Sequence, residues 1–183
     1  PRVILLVQTA RLDGIQQNVQ TLLTLRSADQ LADAGNQHIH CGDRLAVVGV
    51  NGSGKSTLLR MVSGVYAADS GEIFIDGLPV YDNPKAKKLF FYISDDPYYP
   101  ANGTPIDMQR YYSGVYPAFD SDNFYELLAQ FGLDKKRRIK TFSKGMKKQA
   151  GLAIAFGASP KYLLIDETFD GLDPHKREIL RKL

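Results

Sequence analysis

The chain has 183 residues, 44% of them hydrophobic and 23% charged, with a net charge of +3. That balance suits a soluble globular domain with room for a subsidiary lobe, and it is too small a charge to imply nucleic acid by itself. The single cysteine, Cys41, excludes an internal disulfide, and no stretch approaches the roughly 18 apolar residues that a membrane-spanning helix needs.

Residues 1–35 carry no motif that assigns them. Val3-Ile4-Leu5-Leu6-Val7 reads as a buried strand, too short for the core of a signal peptide. Leu12, Ile15, Val19, Leu22 and Leu23 recur at helical spacing. With no targeting or spanning segment visible, any membrane connection is expected to come through a partner. His38 and His40 bracket Ile39 and read as strand-edge surface residues, since a metal site needs more ligands.

Gly42-Asp43 turns into the apolar run Leu45-Ala46-Val47-Val48, a buried strand. The stretch Gly49-Val50-Asn51-Gly52-Ser53-Gly54-Lys55-Ser56-Thr57 follows and fits G-x-x-x-x-G-K-[ST]. Glycines there let backbone N–H groups approach phosphate oxygens with no Cβ in the way. The helix that begins beside them adds a partial positive charge. Lys55 reaches β- and γ-phosphates, and the Ser56 hydroxyl is a Mg²⁺ ligand. Leu58, Leu59, Met61 and Val62 continue as a helix that Gly64 stops. Strand, loop and helix agree, which sets this apart from a chance glycine-rich turn.

After the turn Asp69-Ser70-Gly71, residues 72–76 alternate as a half-exposed strand closed by Gly77. Residues 81–88 are polar and basic, a surface loop or short helix. Leu89 to Ile93 reads as a buried strand ending in Ser94-Asp95-Asp96-Pro97. From Tyr98 to about Lys140 strand patterns vanish and a helical lobe is predicted, about residues 97–142. Asp120 or Ser121 caps a helix whose Phe124, Leu127, Leu128 and Phe131 share one face, with Gly132 as the stop. Tyr98-Tyr99 and Tyr111-Tyr112 read as lobe core or partner surface. The basic run Lys135-Lys136-Arg137-Arg138, extended by Lys140, Lys144, Lys147 and Lys148, reads as a solvated face.

Ser143 opens a helix that runs to about Phe156, and Pro160 breaks the chain after it. Tyr162-Leu163-Leu164-Ile165 is a continuous apolar run ending in Asp166-Glu167. Acids at the C-terminal edge of a buried strand stand where open α/β sheets bind ligands. Asp166 suits Mg²⁺ and Glu167 suits a water attacking a γ-phosphoryl group.

Taken together and in order, these motifs over residues 40–183 resemble the nucleotide-binding domain of ATP-binding cassette (ABC) ATPases. Gly49 to Thr57 is similar to Walker A, Tyr162 to Glu167 to Walker B, and Gly171-Leu172-Asp173 to the D-loop. Tyr92-Ile93-Ser94-Asp95 falls at the Q-loop, and Phe142-Ser143-Lys144-Gly145-Met146 at the signature motif. The resemblance implies an α/β P-loop NTPase, a largely parallel central sheet flanked by helices plus a helical insertion lobe. Its domain would span residues 36–183. The site it implies has Lys55 and Glu167 as catalytic residues. Gly49, Asn51, Gly52, Ser53, Gly54, Lys55, Ser56 and Thr57 would hold ATP, joined by Ser143 and Gly145 from a second copy. Ser56, Asp95 and Asp166 would hold Mg²⁺.

Two domains stacked head to tail around ATP would then drive a separate integral membrane subunit from its cytoplasmic side, with no nucleic acid involved. The wording Ser-Lys-Gly-Met-Lys-Lys-Gln is similar to that of bacterial exporter ATPases. Three departures stand out. Asp95 replaces the usual Gln; an anion binds a metal more strongly but is shorter. His175 follows Asp173-Pro174 too closely to be the family's switch histidine, so that residue is expected beyond Leu183 and the chain reads as C-terminally incomplete. No aromatic is in place to stack on adenine, since the first, Tyr66, comes after the P-loop. A soluble, non-transport ABC ATPase and a nucleotide-binding module with little hydrolysis are the competing readings.

Overall fold

Two apolar runs that precede the glycine-rich stretch, residues 3–7 and 45–48, form neighbouring strands. In a computed structural model describing residues 3–8, 21–24, 44–48, 54–69 and 71–166, with side chains from residue 54 onward, Val3–Gln8 is strand β1. Arg44–Val48 is strand β3, as its unbroken apolar pattern predicts. Leu22 and Leu23 depart from the helical spacing that begins at Leu12. They lie in strand β2 (Thr21–Thr24), paired parallel with β3. A short segment takes the state that satisfies its backbone groups, and here the sheet edge overrides side-chain periodicity. Residues 12–20 lie outside the described residues.

The sheet order is β2-β3-β1-β7-β6, where β6 is Phe90–Ile93 and β7 is Tyr162–Asp166. Strand β1 runs parallel to both β3 and β7. Residues that the sequence leaves unassigned thus supply the strand between the one that feeds the glycine-rich loop and the one that ends in the acids. Register makes the C-terminal ends level: Gln8 pairs with Val48, and Val7 with Asp166.

Helix α1 (Lys55–Val62) covers this sheet through Leu59, which packs with Phe90 and Leu164 in a buried cluster joined by Leu58, Val62, Ile75, Tyr92 and Tyr162. The predicted strand over 72–76 shortens to β4 (Phe74–Ile75), antiparallel to β5 (Leu78–Pro79). Asp76 and Gly77 make the turn, both with positive φ, the Asp-Gly chemistry of a tight hairpin. The Asp76 carboxylate accepts from Lys161 Nζ and the Tyr162 hydroxyl, each at 2.6 Å, and pins the hairpin to the start of β7. These bonds hold its carboxyl below the usual range. Helix α2 (Pro84–Lys87) is capped by Asn83, which accepts from Lys85 N and Ala86 N.

The described residues fall into two compact units. One runs to Tyr92 and takes in 161–166; the other is Ile93–Pro160. In the second, helix α4 (Ser121–Gln130) has the predicted Asp120 cap, accepting from Asn123 N at 2.9 Å, and the predicted apolar face. Helix α3 (Pro105–Val115) has a capping box: Thr104 accepts from Asp107 N, and the Asp107 side chain accepts from Thr104 N. Both helices pack on α5 (Lys144–Ala158), which is buried over most of its length. Gly157 permits the approach of α4, since a Cβ there would sit 3.0 Å from Phe124 Cβ and 2.8 Å from the ring of Phe119, just before that helix. The run 135–138 is exposed, as a solvated face should be, but Lys148 is 3% exposed and is not part of one. No helix among the described residues is long and apolar enough to cross a membrane.

Gly64 and Gly77 both have positive φ, but a Cβ at Gly64 overlaps the Val80 carbonyl oxygen, whereas one at Gly77 meets nothing within 4 Å. Gly77→Ala is therefore expected to lose about 1 kcal/mol, the left-handed penalty alone, and Gly64→Ala about 3 kcal/mol or more, the clash added. Urea unfolding of both variants measures the difference; equal losses would mean the Val80 backbone yields freely.

Candidate functional site

Gly54 turns the chain into α1 with φ 88°, a left-handed value that only glycine adopts without strain. Gly54, the N-cap residue, has no side chain to cap this helix. The first-turn N–H groups of a helix have no partner within the helix and suit an anion. Lys55, the first helical residue, is 4% exposed. Ser56 is half-buried and Thr57 exposed.

Asp166 ends β7 and is 3% exposed. Its two oxygens take different donors: Ser56 Oγ donates to Oδ1 at 3.1 Å, and the Tyr92 hydroxyl donates to Oδ2 at 3.4 Å. The fold thus brings together Ser56 and Asp166, 110 positions apart in the chain. Burial, followed by the charge of Asp166, pushes the Tyr92 phenol up to about 12. Tyr92 is a contributor that motif reasoning passes over. Its only sequence signal is its place in a buried strand, three residues before Asp95. Gln8, the last residue of β1, stands in register with Val48 and one position past the partner of Asp166.

Among the described residues, the Ser56 hydroxyl and the Asp166 carboxylate are the oxygens at this edge that suit a metal, with the Tyr92 hydroxyl beside them. Among the described residues no group of three or more His, Cys, Asp or Glu could hold a metal. Two hard oxygens fit Mg²⁺, which keeps several waters and takes few protein ligands beside substrate phosphates. They suit neither Zn²⁺ nor a dedicated Ca²⁺ cage.

Asp95 has two lysine partners on α5. Its Oδ1 lies 2.6 Å from Lys148 Nζ and its Oδ2 3.0 Å from Lys144 Nζ. Burial alone would raise its pKa, but the hydrogen bonds and charges of the two lysines outweigh that and hold it below the usual range. Ser143 caps α5, its Oγ accepting from Met146 N at 3.2 Å, and it is exposed; Gly145 is half-buried. Gly49, Asn51, Gly52, Ser53 and Glu167 lie outside the described residues, as do His38, His40, Cys41, His175 and the D-loop positions. Tyr66, the first aromatic of the chain, is exposed and its hydroxyl accepts from Arg60 at 3.4 Å.

Residues 33–170 match the family model described as ABC transporter. The ABC transporter ATP-binding protein YtrB of Bacillus subtilis is 32% identical over 172 residues, covering 88% of this chain and 58% of that protein. The lantibiotic transport ATP-binding protein SrtF of Streptococcus pyogenes is 33% identical over 150 residues, 81% of this chain and 64% of SrtF. The taurine import ATP-binding protein TauB of Pseudomonas putida is 36% identical over 143 residues, 76% of this chain and 54% of TauB. A solved ATP-binding subunit of an ABC transporter superposes with a TM-score of 0.66 at 30% identity, covering 73% of this chain and 58% of that one. The chain thus spans 54–64% of the length of these curated relatives.

The Tyr92–Asp166 pair has a consequence for alkaline stability. Tyr92 ionises at about 12 in the folded chain against about 10 when unfolded. Its folded pKa is raised, so the stability it contributes is complete below pH ~10 and is lost as pH rises through ~12. Melting temperatures between pH 9 and 12 should therefore fall less steeply in Tyr92→Phe than in the parent. Matching slopes would place the alkaline transition in other groups.

Proposed function

This chain belongs to the ABC transporter family, with the α/β P-loop NTPase fold of its ATP-binding subunits, and we propose that it binds and hydrolyses ATP to drive a separate membrane subunit. The observation that carries the reading is the 3.1 Å contact between Ser56 and Asp166. It joins the end of the glycine-rich loop to the acid of β7 at one buried sheet edge.

In this proposal Gly49, Asn51, Gly52, Ser53 and Gly54 wrap the phosphates with backbone N–H groups, and Thr57 completes the motif. Lys55 brings its ammonium to the β- and γ-phosphoryl oxygens. Its burial strengthens the attraction, because little water remains to screen it. Ser56 and Asp166 would hold Mg²⁺, which supplies charge neutralisation between the phosphates when bound. Asp95 was the third expected ligand, but the ion pairs to Lys144 and Lys148 favour another role for it. Glu167 follows Asp166 and orients the attacking water as a general base.

Ser143 and Gly145 would meet the γ-phosphate of a second copy. A helix N-terminus, a hydroxyl and a glycine that lets the backbone come close are suited to an anion. ATP would then hold a head-to-tail homodimer together, and hydrolysis would release it. The signature wording favours an exporter; among the relatives, SrtF is named for lantibiotic transport and TauB for taurine import. The membrane subunit would seat the chain on the cytoplasmic face of the cell membrane.

Two variants of the intact protein test this reading. Lys55→Ala should weaken ATP binding by at least about tenfold, the loss of a charge-assisted phosphate contact. Glu167→Gln should still bind ATP, with turnover reduced by about 10²-fold or more. Unchanged affinity in the first variant would overturn the phosphate site. Unchanged turnover in the second would remove Glu167 from the chemistry.

A further inference from the structure

Asp95 opens a segment, residues 94–99, that follows β6 and is laced to the first turns of α5 by three independent contacts. The first is the pair of ion pairs, with Lys148 at 2.6 Å and Lys144 at 3.0 Å. These lysines are four residues apart and share one helix face. Lys144 is well exposed, and such pairs contribute little. Lys148 is buried, and an ammonium withdrawn from water requires compensation by an anion or good acceptors. The second contact is a hydrogen bond from the Tyr99 hydroxyl to the Lys147 carbonyl oxygen at 2.9 Å. The third is steric: a Cβ at Gly151 would sit 3.0 Å from the Tyr99 hydroxyl and 3.7 Å from Ile93, so helix and segment approach closely because residue 151 is glycine.

The geometry points to Asp95 as a positioning residue, a charge clamp that fixes the first turn of α5 and with it Ser143 and Gly145, the residues flanking Lys144. A glutamine at position 95 is a neutral amide and does not supply the charge that a buried ammonium calls for. Asp95 and Lys148 therefore suit each other as a pair. Metal binding by Asp95 would have to exchange both ion pairs. The clamp's bearing on the second copy's γ-phosphate rests on the proposed ATP sandwich; its bearing on α5 does not.

The test uses the intact protein carrying Glu167→Gln, so that bound ATP persists. Asp95→Asn is added, Asp95→Gln is made beside it, and Asp95→Leu is paired with Lys148→Met to replace the ion pair by apolar contact. Three readouts apply: amide hydrogen exchange at 144–149 without nucleotide, Mg²⁺-dependent ATP affinity of the single subunit, and the ATP concentration that half-dimerises it.

Asp95→Asn and Asp95→Gln should speed exchange at 144–149 while leaving 121–130 unchanged. They should raise the half-dimerising ATP concentration about tenfold, the usual scale for losing a hydrogen bond to a charged group. Single-subunit affinity and its Mg²⁺ dependence should stay as in the parent, and the Leu/Met pair should restore slow exchange and dimerisation. A weakened Mg²⁺ dependence would make Asp95 a metal ligand and overturn the clamp. So would unchanged exchange, or a Leu/Met pair that fails to recover. If the parent itself does not dimerise with ATP, the sandwich reading fails, and the exchange data still decide the clamp.

Discussion

A carboxylate at the end of a buried strand must be given donors, and meeting that requirement organises the site. Asp166 is withdrawn from water, and an isolated charge there would cost several kcal/mol. Ser56 approaches it from the start of α1 and Tyr92 from β6. Satisfying one acid therefore fixes where the helix after the glycine-rich loop begins, and which strand lies on the other side of β7. The apolar cluster of Leu59, Phe90 and Leu164 joins the same three elements from below. Packing and polar satisfaction specify the same arrangement, as a sequence with one native state requires.

Much of this was legible in the chain because it is locally encoded. The P-loop strand and helix, the Asp120 cap with the face of α4, the Ser143 cap of α5 and the acid-tipped β7 each follow from periodicity and end signals within a dozen residues. The failures are non-local. Nothing in Val3–Gln8 says that it lies between β3 and β7, since pairing partners are chosen across tens of residues. Leu22 and Leu23 fit a helical period equally well, and a sheet edge claims them. Helix α3 carried a readable capping box at Thr104–Asp107, but its mixed Tyr, Gln and Arg composition hides an apolar face.

Lys148 shows why a run of charges is a weak guide. Counted along the chain, it belongs with Lys144 and Lys147 in a basic stretch. Wound into α5, Lys147 leaves the face that Lys144 and Lys148 share, and of the three only Lys148 is buried, where Asp95 meets it. The missing information is angular: 100° per residue places positions four apart on one face and their neighbours elsewhere. A carboxylate at position 95 and lysines at 144 and 148 become one feature only after the fold has joined them.

Asp76, Asp95 and Asp166 each accept from side-chain donors, and the donors differ in kind. Asp76 takes Lys161 and a tyrosine hydroxyl at 2.6 Å, and Asp95 takes two lysines at 2.6 and 3.0 Å. Asp166 takes hydroxyls from Ser56 and Tyr92 at 3.1 and 3.4 Å. An ammonium adds the attraction of a full opposite charge to its hydrogen bond, so a ligand that displaces an ammonium gives up more than one that displaces a hydroxyl. Strongly bonded Asp76 and Asp95 suit work that does not change during a reaction cycle: pinning a hairpin, or setting a helix start. The longer hydroxyl contacts of Asp166 suit an acid that exchanges partners, as the proposed Mg²⁺ role would require. The same residue type thus suits a fastener's work or, in the proposed site, a ligand's, according to which donors the fold sets against it.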